Sequence, residues 1–78
     1  MTISDVVIHV NESLNPQSRH ELEDQMRTID GVIAPRFNER TPHLMIVAYN
    51  ADNTNAHALL DGVRHNGYSG QVVGGFSI

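Results

Sequence analysis

The chain has 78 residues, of which 40% are apolar and 18% charged, so it is long enough for one small globular domain and is not a disordered segment. Its formal net charge is −4 and its five basic residues are all scattered arginines, which argues against general nucleic-acid binding. It contains no cysteine, which excludes disulfides, thiolate metal sites and a cysteine nucleophile.

Hydrophobic spacing and capping residues predict six elements in the order strand, helix, strand, strand, helix, strand. In chain order they are a strand Thr2–Val10, a helix that opens at Pro16 behind the cap Asn15 and closes at Gly31, a strand Val32–Asn38, a strand His43–Tyr49, a helix capped by Asn53 or Thr54 that runs to about Asn66, and a strand from Tyr68 to about Val73. Residues 73–78 are predicted to be a loose tail of this single domain. The order predicts an α+β ferredoxin-like βαββαβ sandwich, with a four-stranded antiparallel sheet and two helices on one face.

The residues of two predicted strands indicate where those strands lie in the sheet. Proline cannot donate a hydrogen bond to a ladder, so Pro35 predicts an edge strand. The strand around Leu44 and Ile46 is apolar on both faces, which predicts a central position. Val7 and His9 would share the uncovered face with Leu44 and Ile46. We expect this open face or an edge strand to bind a protein partner or a second copy of the chain.

Several segments, taken in order and at their spacings, carry a family resemblance. They are Val6-x-Ile8-x-Val10, Asp30-Gly31-Val32, Phe37-Asn38, Met45-x-Val47-x-Tyr49-Asn50 and Leu59-x-x-x-Val63-x-x-x-Gly67-Tyr68. Through them nearly the whole chain resembles the heavy-metal-associated domains, which include the small metallochaperones. The resemblance implies the ferredoxin-like fold and a non-catalytic role in metal binding or transport.

The resemblance also marks the place where members of that family bind metal. Their Cys-x-x-Cys motif falls on Asn15 and Ser18 of this sequence, and the aromatic residue beside the metal loop corresponds to Tyr68. Amide and hydroxyl groups do not replace thiolates as ligands for Cu(I). The resemblance therefore implies a metallochaperone-like scaffold without its usual metal site, in which Tyr68 packs over the loop.

The five histidines are the remaining candidate metal ligands. His9 and His43 are predicted at the adjoining ends of two antiparallel strands, where they could share Cu(II), zinc or nickel, although strand alternation puts them on opposite faces. His20 lies near the loop on the first helix. His57 and His65 are eight residues apart on the second helix, so we expect them to be surface residues. The competing interpretation of His9, His20 and His43 is that they are ordinary surface or strand-end histidines.

Two functions remain open at this point. One is a binding protein that handles a divalent cation through histidine and oxygen groups, and the other is a cysteine-free protein interaction or assembly module on the same scaffold. An enzyme is disfavoured because the sequence shows no nucleophile–base set, phosphate loop or dinucleotide motif. No signal peptide or membrane-spanning stretch is visible, so we expect a cytoplasmic protein that binds neither membranes nor nucleic acid.

Overall fold

Four strands and two helices follow one another along residues 1–77, the part of the chain that the computed structural model describes. In chain order they are β1 (Ile3–Val10), α1 (Pro16–Arg27), β2 (Val32–Asn38), β3 (Thr41–Asn50), α2 (Ala56–His65) and β4 (Gly70–Ser77). The strands form one antiparallel sheet in the order β2-β3-β1-β4. The predicted ferredoxin-like sandwich is confirmed.

The core lies between one face of the sheet and both helices. Every second residue of β1 points into it, which is the two-residue period of a strand with one covered face. The buried apolar side chains are Val6, Ile8, Val10, Leu22, Met26, Met45, Val47, Leu59 and Val63. Because α1 and α2 contribute to the same cluster as β1 and β3, both helices cover the same face, and the other face of the sheet is left open.

The places predicted for two strands are confirmed. β2 lies at an edge of the sheet, where it pairs only with β3. Its Pro35 is buried opposite Val47, and a missing donor is tolerated in a strand that has one neighbour. β3 lies between β2 and β1, as its two apolar faces predicted.

The first helix ends earlier than predicted. Thr28 closes α1 after Arg27, because its hydroxyl and its backbone N–H both donate to the carbonyl oxygen of Gln25. Gly31 does adopt the predicted left-handed backbone, with φ of +93°, but it lies in the turn that enters β2. A Cβ at Gly31 would lie 2.9 Å from the Cβ of Asn53, so close packing as well as φ requires glycine there.

The second helix begins later than predicted. Asn55 is its N-cap, and its side-chain oxygen accepts the N–H of Ala58 at 2.9 Å. Asn53 and Thr54, which were predicted as caps, instead donate their N–H groups to the carbonyl oxygen of Asn50. Asn53, Thr54 and Asn55 have similar capping ability, so the sequence alone does not show which of them caps α2. The turn at Asn50 decides it.

The third strand also begins earlier than predicted. Thr41 and Pro42, assigned from sequence to a turn, belong to β3, and only residues 39 and 40 form the turn. Asn38 stabilises it by accepting the N–H of Arg40 at 2.9 Å. Pro42 is tolerated because it is paired in neither of the two ladders that flank β3.

The prediction of a loose tail from residue 73 is wrong over residues 73–77, which belong to β4; residues 74–77 pair with β1, and Val73 lies at a register shift between the two strands. Gly74 and Gly75 were assigned to a loop because glycine favours one. A sheet ladder uses backbone groups only, so β1 can pair with glycines, and Gly75 lies close enough that a Cβ would approach the carbonyl oxygen of Asp5 to 3.1 Å. Ile78, the end of the predicted tail, lies outside the described residues.

Candidate functional site

The loop between β1 and α1 contains Asn15 and Ser18, which the sequence resemblance matches to the family's metal motif, and it leads into the first turn of α1. The backbone of Asn15 is extended, and its side-chain oxygen accepts the N–H of Ser18 at 2.7 Å. Pro16 follows at the first helical position, where no donor is required. Asn15 and Ser18 are therefore adjacent, as two metal ligands would be, but the amide oxygen is already used to cap the helix.

The electrostatics of this loop disfavour a cation. Helix N-termini carry partial positive charge. The guanidinium of Arg19 also lies at the loop and donates to the carbonyl oxygen of Leu14 at 2.7 Å. An amide, a hydroxyl and a neighbouring guanidinium are an unsuitable environment for Cu(I), which prefers thiolates. The residues present at Asn15 and Ser18 thus do not fit the ion that the resemblance implies.

The loop between α2 and β4 is hydrogen-bonded to a carboxylate in the loop between β1 and α1. Glu12 accepts the backbone N–H of Ser69 at 2.9 Å and its hydroxyl at 2.9 Å. These hydrogen bonds from Ser69, first from its backbone and then from its hydroxyl, lower the pKa of Glu12. A lowered folded-state pKa means that this contact stabilises the fold above the unfolded-state pKa of Glu12. The contribution is lost as the pH falls through the lowered value.

Asn11 extends this contact toward β1. Its backbone N–H donates to the carbonyl oxygen of Ser69 at 2.9 Å, and its side-chain Nδ2 donates to the Ser69 hydroxyl at 3.3 Å. Its side-chain oxygen lies 3.0 Å from Nδ1 of His9. A continuous line of polar contacts therefore runs from Glu12 through Ser69 and Asn11 to an imidazole.

His9 and His43 meet at the end of this line. Their rings are stacked, with centroids 5.4 Å apart and planes 11° from parallel. The Nδ1 atom of His43 lies 2.8 Å from the carbonyl oxygen of Val10. The paired residues of β1 and β3 end at His9 and Leu44, so His43 lies just beyond the regular ladder. This position explains why the expectation of opposite faces, drawn from strict alternation, does not keep the two rings apart.

The other histidines lie on the helices. His20 is 70% exposed, with Nδ1 3.5 Å from Glu23 and Nε2 3.6 Å from Asp24. His57 and His65 are exposed, as predicted. Among residues 1–77, no three histidine or carboxylate side chains lie close enough together to hold a metal ion. His20 therefore does not join His9 and His43 in one site.

The remaining predicted site residues fall on two surfaces. Tyr68 is partly buried and packs against the core, and its placement over the loop stays a prediction. Val7 pairs with Ile46 and His9 with Leu44 on the uncovered side of the sheet, and Ile46 is 39% exposed. The structure thus brings His9 to both the open face and the polar line that ends at Glu12.

Sequence reasoning missed Asn11, Glu12 and Ser69. Glu12 and Ser69 are 57 positions apart, and neither belongs to a recognisable motif. No local signal identifies such a contact, because it depends on β1 and β4 being neighbours in the sheet.

No protein-family model matches the sequence, and no curated protein matches it. Solved structures match almost the whole chain. A copper-binding domain from HMA7, a P-type ATPase, superposes with a TM-score of 0.84 at 9% identity, over 96% of this chain and 97% of that one. Oxidized MerP from Ralstonia metallidurans CH34 gives 0.81 at 15% identity, over 92% and 99%.

A third match is the N-terminal domain of a potential copper-translocating P-type ATPase from Bacillus subtilis, in its Cu(I)-loaded state. Its TM-score is 0.82 at 20% identity, over 96% of this chain and 91% of that one. These likenesses place the chain in the class of small ferredoxin-like sandwiches. More narrowly, it has the fold of heavy-metal-associated domains, and the resemblance predicted from sequence is confirmed for the fold. No helix in residues 1–77 is long and apolar enough to span a membrane.

Proposed function

We propose that this protein is a non-catalytic domain that binds a divalent borderline cation, such as zinc, nickel or Cu(II), through the imidazoles of His9 and His43. The observation that carries the proposal is the proximity of the two rings, whose centroids are 5.4 Å apart at one end of the sheet. The Nε2 lone pair lies in the plane of its ring, so one of these nearly parallel rings must turn before both can face one ion. Imidazole suits all three ions. The net charge of −4 favours the approach of a cation.

The hydrogen bonds of the two rings support this proposal. A backbone carbonyl oxygen only accepts, so His43 carries its ring proton on Nδ1, where Val10 accepts it, and keeps a lone pair on Nε2. Metal-binding histidines are commonly held in this way, with the other ring nitrogen donating to an oxygen. Two imidazoles leave the other coordination positions to water or to a second copy of the chain.

Calorimetric titration with Zn(II), Ni(II) and Cu(II) tests the proposal. We expect a measurable heat of binding for at least one ion, and we expect His9→Gln with His43→Gln to abolish it. The matched control, His57→Gln with His65→Gln, removes two exposed helix histidines and is expected to bind as the unchanged protein does. A Kd weaker than about 1 mM for all three ions, which is about −4 kcal/mol, contradicts the proposal. Equal loss of binding in the control also contradicts it.

A second candidate function is that of a self-associating module, and the open face favours it. Val7 and Ile46 form an apolar pair there, with Asp5 further along β1 and Arg36 opposite Ile46 on β2. Two copies that meet face to face around a twofold axis would place apolar side chains together and unlike charges near one another. A second copy is therefore the partner to test first.

Sedimentation velocity tests this second candidate. The unchanged protein is expected to show a dimer whose fraction rises with concentration, and Ile46→Glu is expected to give a monomer, because a carboxylate would be buried without a partner. His57→Glu is the control, since His57 is exposed on α2, on the other side of the sheet, and the substitution introduces the same carboxylate; it is expected to dimerise as the unchanged protein does. A strict monomer at all concentrations, without added metal, rules out self-association.

A further inference from the structure

The polar line from Glu12 to His9 permits only one direction of donation. An ionised carboxylate has no proton to donate, so at 2.9 Å the hydroxyl of Ser69 donates to Glu12. The hydroxyl oxygen is then left as an acceptor. The side-chain N–H of Asn11, 3.3 Å away, donates to this oxygen.

This direction fixes the orientation of the Asn11 amide. Because its nitrogen faces Ser69, its oxygen faces Nδ1 of His9, at 3.0 Å. A carbonyl oxygen only accepts, so His9 carries its ring proton on Nδ1. The tautomer of His9 is thus determined by a carboxylate that does not touch the ring.

We infer that Asn11, supported by Ser69 and Glu12, is a positioning residue that holds the ring proton of His9 on Nδ1 and leaves the Nε2 lone pair for a cation. The metal part of this inference rests on the proposed function. The tautomer part does not, because it concerns the metal-free protein. His43 is an internal comparison, since its acceptor is the backbone of Val10 and is independent of Asn11.

The tautomers are measurable by long-range ¹H–¹⁵N NMR of the metal-free protein at about pH 8, above the ordinary range of imidazole titration. We expect His9 and His43 both to carry the proton on Nδ1. His57 is expected to carry it on Nε2, which faces Asp61 at 3.5 Å, so one spectrum contains both patterns. Asn11→Ala is expected to move the His9 proton toward Nε2 and to leave the His43 pattern unchanged.

Two further variants separate the parts of the line. Ser69→Ala is expected to shift the His9 pattern partially, because the amide of Asn11 is then free to turn. Asn11→Asp keeps an acceptor beside His9 and is expected to retain the Nδ1 proton. A His9 proton on Nε2 in the unchanged protein overturns the inference, and so does a pattern that is the same in Asn11→Ala. A backbone ¹H–¹⁵N spectrum of each variant shows whether the fold is kept.

Zinc titration of the same variants connects the tautomer to binding. Asn11→Ala is expected to weaken zinc binding by about 10–100-fold, the usual effect of removing the partner of a metal-binding histidine, and Asn11→Asp is expected to restore most of it. If zinc binds equally well to Asn11→Ala, the positioning role is wrong while the proposed function stands. If none of zinc, nickel and Cu(II) binds the unchanged protein although the NMR pattern is as expected, the proposed function fails and the tautomer assignment stands.

Discussion

Replacing Asn15 and Ser18 together by cysteine is expected to create a tight Cu(I) site. The side-chain oxygen of Asn15 already lies 2.7 Å from the backbone nitrogen of Ser18, so the two positions adjoin at the start of α1. Two thiolates on a helix N-terminus are also stabilised as anions, which favours the deprotonated form that binds metal. We expect the Cu(I) affinity to rise by roughly a thousandfold or more over the unchanged chain, or about 4 kcal/mol.

Competition with a colourimetric Cu(I) chelator measures this affinity. The matched control is Asn15→Cys with Gln17→Cys. It has the same number of thiols, but they are two residues apart, so they point to different sides of the helix and do not face one ion. Loss of the Asn15 cap costs about 0.5–2 kcal/mol, so both double variants should melt slightly lower than the unchanged protein. Equal Cu(I) affinity of the two double variants would show that this loop lacks the geometry of a metal loop.

Met45→Ala is expected to destabilise the protein severely, whereas Ile46→Ala, one residue further along the same strand, is not. Met45 is fully buried beneath the helices, and Ile46 is 39% exposed on the open face. A buried methionine replaced by alanine costs about 2–5 kcal/mol, from lost apolar transfer and a residual cavity. For a domain of this size, each kcal/mol lowers the Tm by about 4–8 °C.

Thermal unfolding followed by circular dichroism compares the two variants. Met45→Ala should melt at least about 8 °C below the unchanged protein, while Ile46→Ala should stay within about 1 kcal/mol of it in free energy of unfolding. Similar losses in both would mean that the sheet is covered on both faces. If the loss in Ile46→Ala appears only at high protein concentration, a second copy covers the open face, as in the second candidate function.

Local signals in the sequence were sufficient for several elements. Asn15 and Pro16 specify where α1 begins. Asn15 supplies the cap, and Pro16 lies at the first helical position, where a backbone N–H would have no partner within the helix. Pro35 marked the edge strand for the same backbone reason. The ends of α1 and α2 and the start of β3 were misplaced, because competing caps and turns there differ by small energies that neighbouring segments decide.

The length of β4 was underestimated for a different reason. Its glycines favour loops when they are considered alone, and only the exposed edge of β1 supplies the hydrogen bonds that make them a strand. The same docking of β4 beside β1 brings Ser69 to Glu12 and Asn11. Residues 57 positions apart could not be linked from one sequence.

The sequence by itself determined the class of fold, the absence of thiolates and the place where the family's metal loop would lie. The fold class and the absence of thiolates depend on periodicity, caps and residue types, which are local properties, whereas the place of the loop is what the family resemblance implies. Only the tertiary structure decided which apolar face is the core, and that His9 and His43 stack despite their opposite parity in alternation. It alone joined His9 to Glu12, because hydrogen bonds between distant loops form only after the sheet has set their positions.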